Sequence, residues 1–358
     1  MERFACRTAV ISGNGALSAL AEKNCSRLLI VTQPKDTAYA DRIREAAGNP
    51  ETVIFEEPDR EPTLKQAVNG SHLIRSFRPD LVVALGGRAV VDCGKAMTCF
   101  SGQRCSLAAV PTDFGCGSEV TDRVTLTHNG GRHLFCNEAM VPDLAILEPE
   151  LAGAVTAEHC AEAGFEILSA ALEAYTASGA GALRDIHARE GFVFCLASLP
   201  AAFSGNISAR HRLQQASLLT GMAVAQTGLG LCRAMENSLG AVFGLSRGKA
   251  AGILLPVILG CNAHAAGQRY ARLSRASGLG GSREELGVRN LRACIVRLRR
   301  ELGMPGSLLQ AGVDLRTVWN SGKRVTELTL EDPECRNNPV AVDDFTVRRI
   351  LEEITGRI

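Results

Sequence analysis

Apolar and polar positions follow two different textures along the 358-residue chain. Up to about residue 150, short β-branched runs alternate with stretches of helical spacing. Residues 27–32 (RLLIVT), 52–56, 80–85 (DLVVAL), 107–110 and 143–147 (DLAIL) read as strands. Residues 36–47, 63–77 and 90–100 between them read as helices. Strands alternating with helices of this length predict parallel βαβ units, hence a Rossmann-like sheet. Residues 120–135 break the pattern: two alternating runs flank Asn129-Gly130-Gly131, which predicts an antiparallel hairpin.

Beyond Pro149 the strand signals vanish. Helical periodicity predicts helices at 158–177, 182–199, 210–226, 233–243, 250–259, 268–276, 283–302 and 342–354. The chain is therefore expected to be an α/β protein of two domains, a parallel-sheet domain over 1–153 and an all-helical domain over 154–358.

Charge and cysteine content narrow the class. Lys and Arg total 39 against 38 Asp and Glu, a formal net charge of +1. That balance argues against nucleic acid or an anionic membrane as the partner. The apolar runs are interrupted by Arg, Gly or Glu, so no membrane span is expected. The opening MERFACRTAV lacks the apolar block of an export signal. The 13 cysteines contain no C-x-x-C pair and are expected to be free thiols in a reducing, cytoplasmic setting.

Two glycine clusters follow predicted strands. Leu85-Gly86-Gly87 leads straight into a helix, the arrangement in which backbone N–H groups receive a phosphate. Pro111-Thr112-Asp113-Phe114-Gly115-Cys116-Gly117-Ser118-Glu119 follows the next strand, and together they point to one crevice for a dinucleotide or another phosphate ligand.

These segments resemble the iron-containing (group III) alcohol dehydrogenases. LGGRAVVDCGKA (85–96) resembles their G-G-G-S-x-x-D-x-x-K-A block, and PTDFGCGSEVT (111–121) their P-T-T-x-G-T-G-S-E-V-T. VPDLAILEPEL (141–151), AGFEILSAALEAY (163–175), GLGLCRAMENSLG (228–240) and LSRGKAAGILLPVILGCN (245–262) follow further blocks in order, as does the tail from Asp332 to Pro339. The opening and residues 221–230 look closest to the propanol and ethanol dehydrogenases of bacterial microcompartments. The resemblance implies a dehydroquinate synthase-like architecture, a cytoplasmic protein associated with a microcompartment, and a homodimer or higher homo-oligomer.

In that family NAD or NADP binds the first domain, and an Asp and three His of the helical domain hold Fe²⁺ or Zn²⁺. The resemblance implies nucleotide-binding roles for Gly86, Gly87, Asp92, Lys95, Thr112, Gly115, Gly117 and Ser118, which match the pattern. Arg88 replaces its third glycine, Ala89 its serine, and Asp113 and Cys116 two of its threonines; Gln33 stands where an Asp often accepts from the ribose. The metal positions correspond to Glu166, Ala170, Arg233 and Arg247, and a further family His near the reacting centre to Asn237. Arginine has no lone pair to give a metal, so no bound metal is expected. At least one of Arg233 and Arg247 is expected to pair with Glu166, leaving positive charge for an anionic small molecule. Two functions stay open: a metal-independent oxidoreductase of small alcohols and aldehydes, or a pseudoenzyme serving assembly, partner binding or anionic-ligand binding.

Overall fold

A computed structural model of the chain describes residues 4–56, 61–178 and 181–356, with the backbone only at Gly115 and Cys116. Its strands are β1 (Ala9–Ser12), β2 (Arg27–Thr32), β3 (Glu51–Glu56), β4 (Leu81–Leu85), β5 (Ser106–Val110), β6 (Arg123–His128), β7 (Gly131–Cys136) and β8 (Leu144–Leu147). The helices are α1 (Ala40–Ala46), α2 (Leu64–Phe77), α3 (Arg88–Ser101), α4 (Ala157–Thr176), α5 (Ala182–Phe203), α6 (Ile207–Thr227), α7 (Leu231–Phe243), α8 (Arg247–Ala276), α9 (Glu284–Glu301), α10 (Leu315–Glu331) and α11 (Asp344–Thr355).

The chain forms two compact units. In the α/β unit six parallel strands lie in the order β1-β8-β5-β4-β2-β3, and β6 and β7 form the expected antiparallel hairpin. The period of two sorts side chains between the faces of the sheet. Leu28, Ile30, Leu81, Val83 and Ala108 pack with Leu17, Leu20 and Ile43 on one face. Leu29, Val31, Val82, Ala84 and Leu107 pack with Ile74, Val90, Val91 and Met97 of α2 and α3 on the other. Burial on both faces explains why these strands read as continuous apolar runs. β1 escaped the sequence pattern because it is a short edge strand, largely exposed, paired only with β8.

The boundary expected at 153/154 differs from the structure by one returning helix. Gly205–Ala225, most of α6, belongs to the α/β unit, where Leu218 packs with Val120, Ala145 and Leu147. Helical periodicity identifies a helix, not the surface that buries it.

The helical unit comprises Thr156–Ser204 and the stretch from Gln226 onward, with Phe4 stacked on His187. Its core joins α7, α8, α10 and α11 through Met235, Leu239, Ile253, Leu254, Val325, Val347 and Ile350. The two helices expected at 250–259 and 268–276 are one, α8, which runs through Pro256, Gly260 and Gly267 without breaking. The helix α10 was not anticipated; its start is fixed by Asp314, whose carboxylate accepts from the N–H groups of Arg316 and Thr317. By length and composition alone α8 is long and apolar enough to cross a membrane, yet 67% of that window is buried inside the protein. It is the central helix of this unit.

Candidate functional site

The glycine turn of the α/β unit is the whole connection between β4 and α3. Gly86 N–H donates to Val110 O (3.1 Å), and Thr112 N–H donates back to Gly86 O (3.3 Å), so the ends of β4 and β5 are tied together. Gly87 is the N-cap of α3, placing the turn at the positive end of the helix. Its bare face is covered: the Asp113 carboxylate lies in contact with Gly87, where a Cβ would collide with Oδ2. The expected phosphate position thus has an acidic side chain of the same chain against it.

The Arg88 guanidinium belongs to an ion-pair cluster of the α/β unit. Its guanidinium pairs with Glu61 (2.9 Å) and Asp92 (3.5 Å), and Arg132 of β7 reaches the same Glu61 oxygen (3.1 Å). Asp92 accepts a short hydrogen bond from the Ser118 hydroxyl. The Lys95 ammonium donates to Ser118 O (2.9 Å), Ser118 Oγ (3.2 Å), Thr121 Oγ1 (3.1 Å) and Arg123 O (2.8 Å). Lys95 is fully buried, and burial lowers its pKa to about 8. Asp92, Lys95 and Ser118 therefore fix the second glycine loop onto α3, a positioning role.

That loop turns through a 3-10 segment, Gly115–Val120, in which Gly117 has φ +77°. Gly117 meets Gly221 of α6 backbone to backbone, so close that neither position has room for a Cβ. Gly221 makes this contact without any local sequence pattern to signal it. Gln33 donates through Nε2 to Asp36 Oδ2 (2.6 Å), so its amide is engaged within its own turn. Asp36 is buried, which raises its pKa, and Asp113 raises it further. Glu119, also fully buried, is pushed up to about 7 by burial, with Asp113 and Asp92 adding to the shift. The loop ends carry an acidic character that composition does not reveal.

In the helical unit the positions set against the family's metal ligands do converge. Gly248, the second residue of α8, lies so close to the Glu162 backbone of α4 that only glycine fits. This contact brings Arg247 beside the next turn of α4, where Glu166 sits. Arg233 Nη1 donates to Glu166 Oε1 at 3.1 Å, and Arg247 Nη1 lies 3.8 Å from the same oxygen. Arg233 also pairs through Nε with Glu236 (3.2 Å), one turn along α7. Glu236 in turn accepts from Ser169 Oγ (2.9 Å). Asn237 donates to Asp332 (2.9 Å).

Glu173 and Glu236 were not anticipated. Glu173 accepts from the N–H groups of Cys232 (2.6 Å) and Arg233 (3.2 Å), capping α7. Burial, with Glu236 nearby, pushes its pKa up to about 8. Both residues could have been suspected: Glu236 lies three residues from Arg233 on one helix face, and Glu173 two turns from Glu166. Their presence changes the charge count. With Glu173 held largely protonated at neutral pH, two guanidinium groups face Glu166 and Glu236. Glu236 thus adds a second carboxylate beside Arg233, which the count from Glu166 alone did not include.

A divalent cation does not fit this donor set. One of the four positions is a carboxylate already paired with arginine, one is Ala170, and two are guanidinium groups. Among the described residues no group of three or more His, Cys, Asp or Glu could hold a metal ion. A ligand set of that size is what a catalytic divalent site requires.

The chain belongs to the iron-containing alcohol dehydrogenase family: residues 7–149 match the family's iron-containing alcohol dehydrogenase domain and residues 160–355 its C-terminal domain. It is 30% identical over 370 residues to 1-propanol dehydrogenase PduQ of Citrobacter freundii, covering 99% of this chain and 100% of that protein. It is 25% identical over 380 residues to NADPH-dependent butanol dehydrogenase of Clostridium saccharobutylicum, covering 98% and 97%. The iron-containing alcohol dehydrogenase of Thermococcus thioreducens superposes with a TM-score of 0.90 at 26% identity, covering 98% of this chain and 99% of that one.

Proposed function

We propose that this protein is a member of the family that does not carry out metal-dependent alcohol oxidation, its former metal position having become an internal ion-pair cluster. The observation that carries the reading is the Glu166 carboxylate held by Arg233 at 3.1 Å with Arg247 at 3.8 Å. Where the resemblance implies a metal cation, fixed guanidinium charge stands here and repels a divalent ion. Glu166 neutralises charge, Glu236 holds Arg233, and Glu173 fixes the start of α7. Each is a structural task.

A second reading rests on the chemistry of the two arginines, whose guanidinium groups can donate to a carbonyl oxygen as it gains charge. In that case the protein is a metal-independent NAD(P)-dependent reductase of small aldehydes. By the resemblance to the microcompartment propanol and ethanol dehydrogenases, the proposal extends to a cytoplasmic protein associated with a bacterial microcompartment and assembled from copies of itself.

The deciding assay mixes purified protein, NADH or NADPH, and short aldehydes, with and without added Fe²⁺ or Zn²⁺. The first reading expects no turnover in any combination. Metal-stimulated turnover contradicts it, and metal-insensitive turnover that Arg247→Leu abolishes establishes the second.

A further inference from the structure

We propose that Asp113 is a built-in competitor for phosphate at the start of α3, and that it keeps the affinity for nicotinamide nucleotides low. The inference deepens the reading above by naming what regulates the nucleotide half of the protein. It does not depend on whether a metal binds the helical unit.

Gly87 caps α3, so the carboxylate in contact with it sits at the positive end of a fourteen-residue helix. That end attracts an anion of any origin, a pyrophosphate or a side chain. Asp113 is 7% exposed, so its charge is weakly screened by water. An entering pyrophosphate meets that negative charge and the volume of the side chain at once.

Two neighbours feel the same field. The pKa values of Asp36 and Glu119 are raised first by burial, and in both Asp113 adds to the shift. Asp113 thus lies within electrostatic reach of the end of β2 and of the second glycine loop, the segments that the resemblance assigns to the nucleotide. The family pattern has a neutral threonine at this position, which would neither repel phosphate nor compete for the helix end.

The backbone around Asp113 is held independently of the carboxylate. Gln214 of α6 donates to the Asp113 main-chain oxygen (3.4 Å), a bond that a side-chain substitution leaves in place. Asp113→Thr and the near-isosteric Asp113→Asn are therefore expected to fold as the parent does. Circular dichroism and thermal melting check this for each variant.

The test titrates parent, Asp113→Thr and Asp113→Asn with NADH, NADPH and inorganic pyrophosphate by calorimetry, with adenosine as a ligand that lacks the phosphates. The proposal expects Asp113→Thr to bind NADH at least tenfold more tightly than the parent, with pyrophosphate gaining in parallel. Asp113→Asn should recover most of that gain, because charge is the cause. Adenosine should bind all three alike. The proposal is overturned if the parent binds NADH as tightly as Asp113→Thr, if Asp113→Asn behaves as the parent, or if adenosine gains equally. These outcomes concern binding alone, so a failure here leaves the metal-free reading untouched, and the reverse also holds.

Discussion

Glu166→Gln removes the charge at the centre of the arginine cluster while keeping the volume of the side chain. The carboxylate lies 3.1 Å from Arg233 Nη1 and 3.8 Å from Arg247 Nη1, and its side chain is only 10% exposed. At an effective dielectric of ~20 these contacts give roughly 5 and 4 kcal/mol of gross attraction. Desolvation of the three groups offsets most of that. Removing one partner, however, leaves the opposite charges buried and uncompensated, which costs ~3–5 kcal/mol. In a unit of this size that loss lowers Tm by roughly 6–20 °C.

Differential scanning calorimetry on Glu166→Gln, Arg233→Gln and the double variant forms a double-mutant cycle. The double variant should lose less than the sum of the singles, by about 1–3 kcal/mol, since the Glu166–Arg233 pair is then removed whole, with only Arg247 and Glu236 left short of a partner. A Glu166→Gln protein that melts within about 2 °C of the parent, or a cycle with purely additive losses, would refute the reasoning.

Two further outcomes follow from the geometry. Glu119 and Glu173 have pKa values raised to about 7 and about 8 by burial, so between the ordinary carboxylate range and those values the folded protein binds more protons than the unfolded chain. Stability should fall as pH rises from about 5 towards 8, and Glu119→Gln should flatten the Glu119 share; a parent and variant with parallel pH profiles would contradict this. Gly221→Ala drives a methyl into the Gly117 backbone, which should cost ~1–3 kcal/mol and make the second glycine loop more sensitive to limited proteolysis; unchanged denaturation and cleavage would argue against the close approach.

What could be read in the sequence depended on whether the signal was local. The buried strands announced themselves as apolar runs because both faces of the sheet are covered. The hairpin followed from Asn129-Gly130-Gly131. The convergence of Glu166, Arg233 and Arg247 followed from family spacing, since the three lie on three different helices and no local pattern links them. The assignment of α6 depended on Leu218 finding Val120 and Leu147, a contact with no local signature. β1, short and exposed, lacks periodicity, and α8 reads as two helices because Gly260 and Gly267 bound a gap in the apolar spacing that packing overrides. Glu173 and Glu236 were passed over for a different reason. A glutamate within a helical pattern reads as a solvated residue, and only burial shows that it takes part in the charge balance. The Glu61 partner of Arg88 was hidden likewise, because it is distant in sequence and is shared with Arg132 of the hairpin.

The central claim is that arginine charge has replaced the metal, and metal content tests it most directly. Protein produced in medium supplemented with iron and zinc, purified without chelators under anaerobic conditions, should contain far less than one Fe or Zn per chain by elemental analysis. A variant combining Glu166→Asp, Ala170→His, Arg233→His and Arg247→His serves as the positive control and should approach one metal per chain. About one tightly held Fe or Zn per parent chain, lost on Glu166→Ala, would contradict the account.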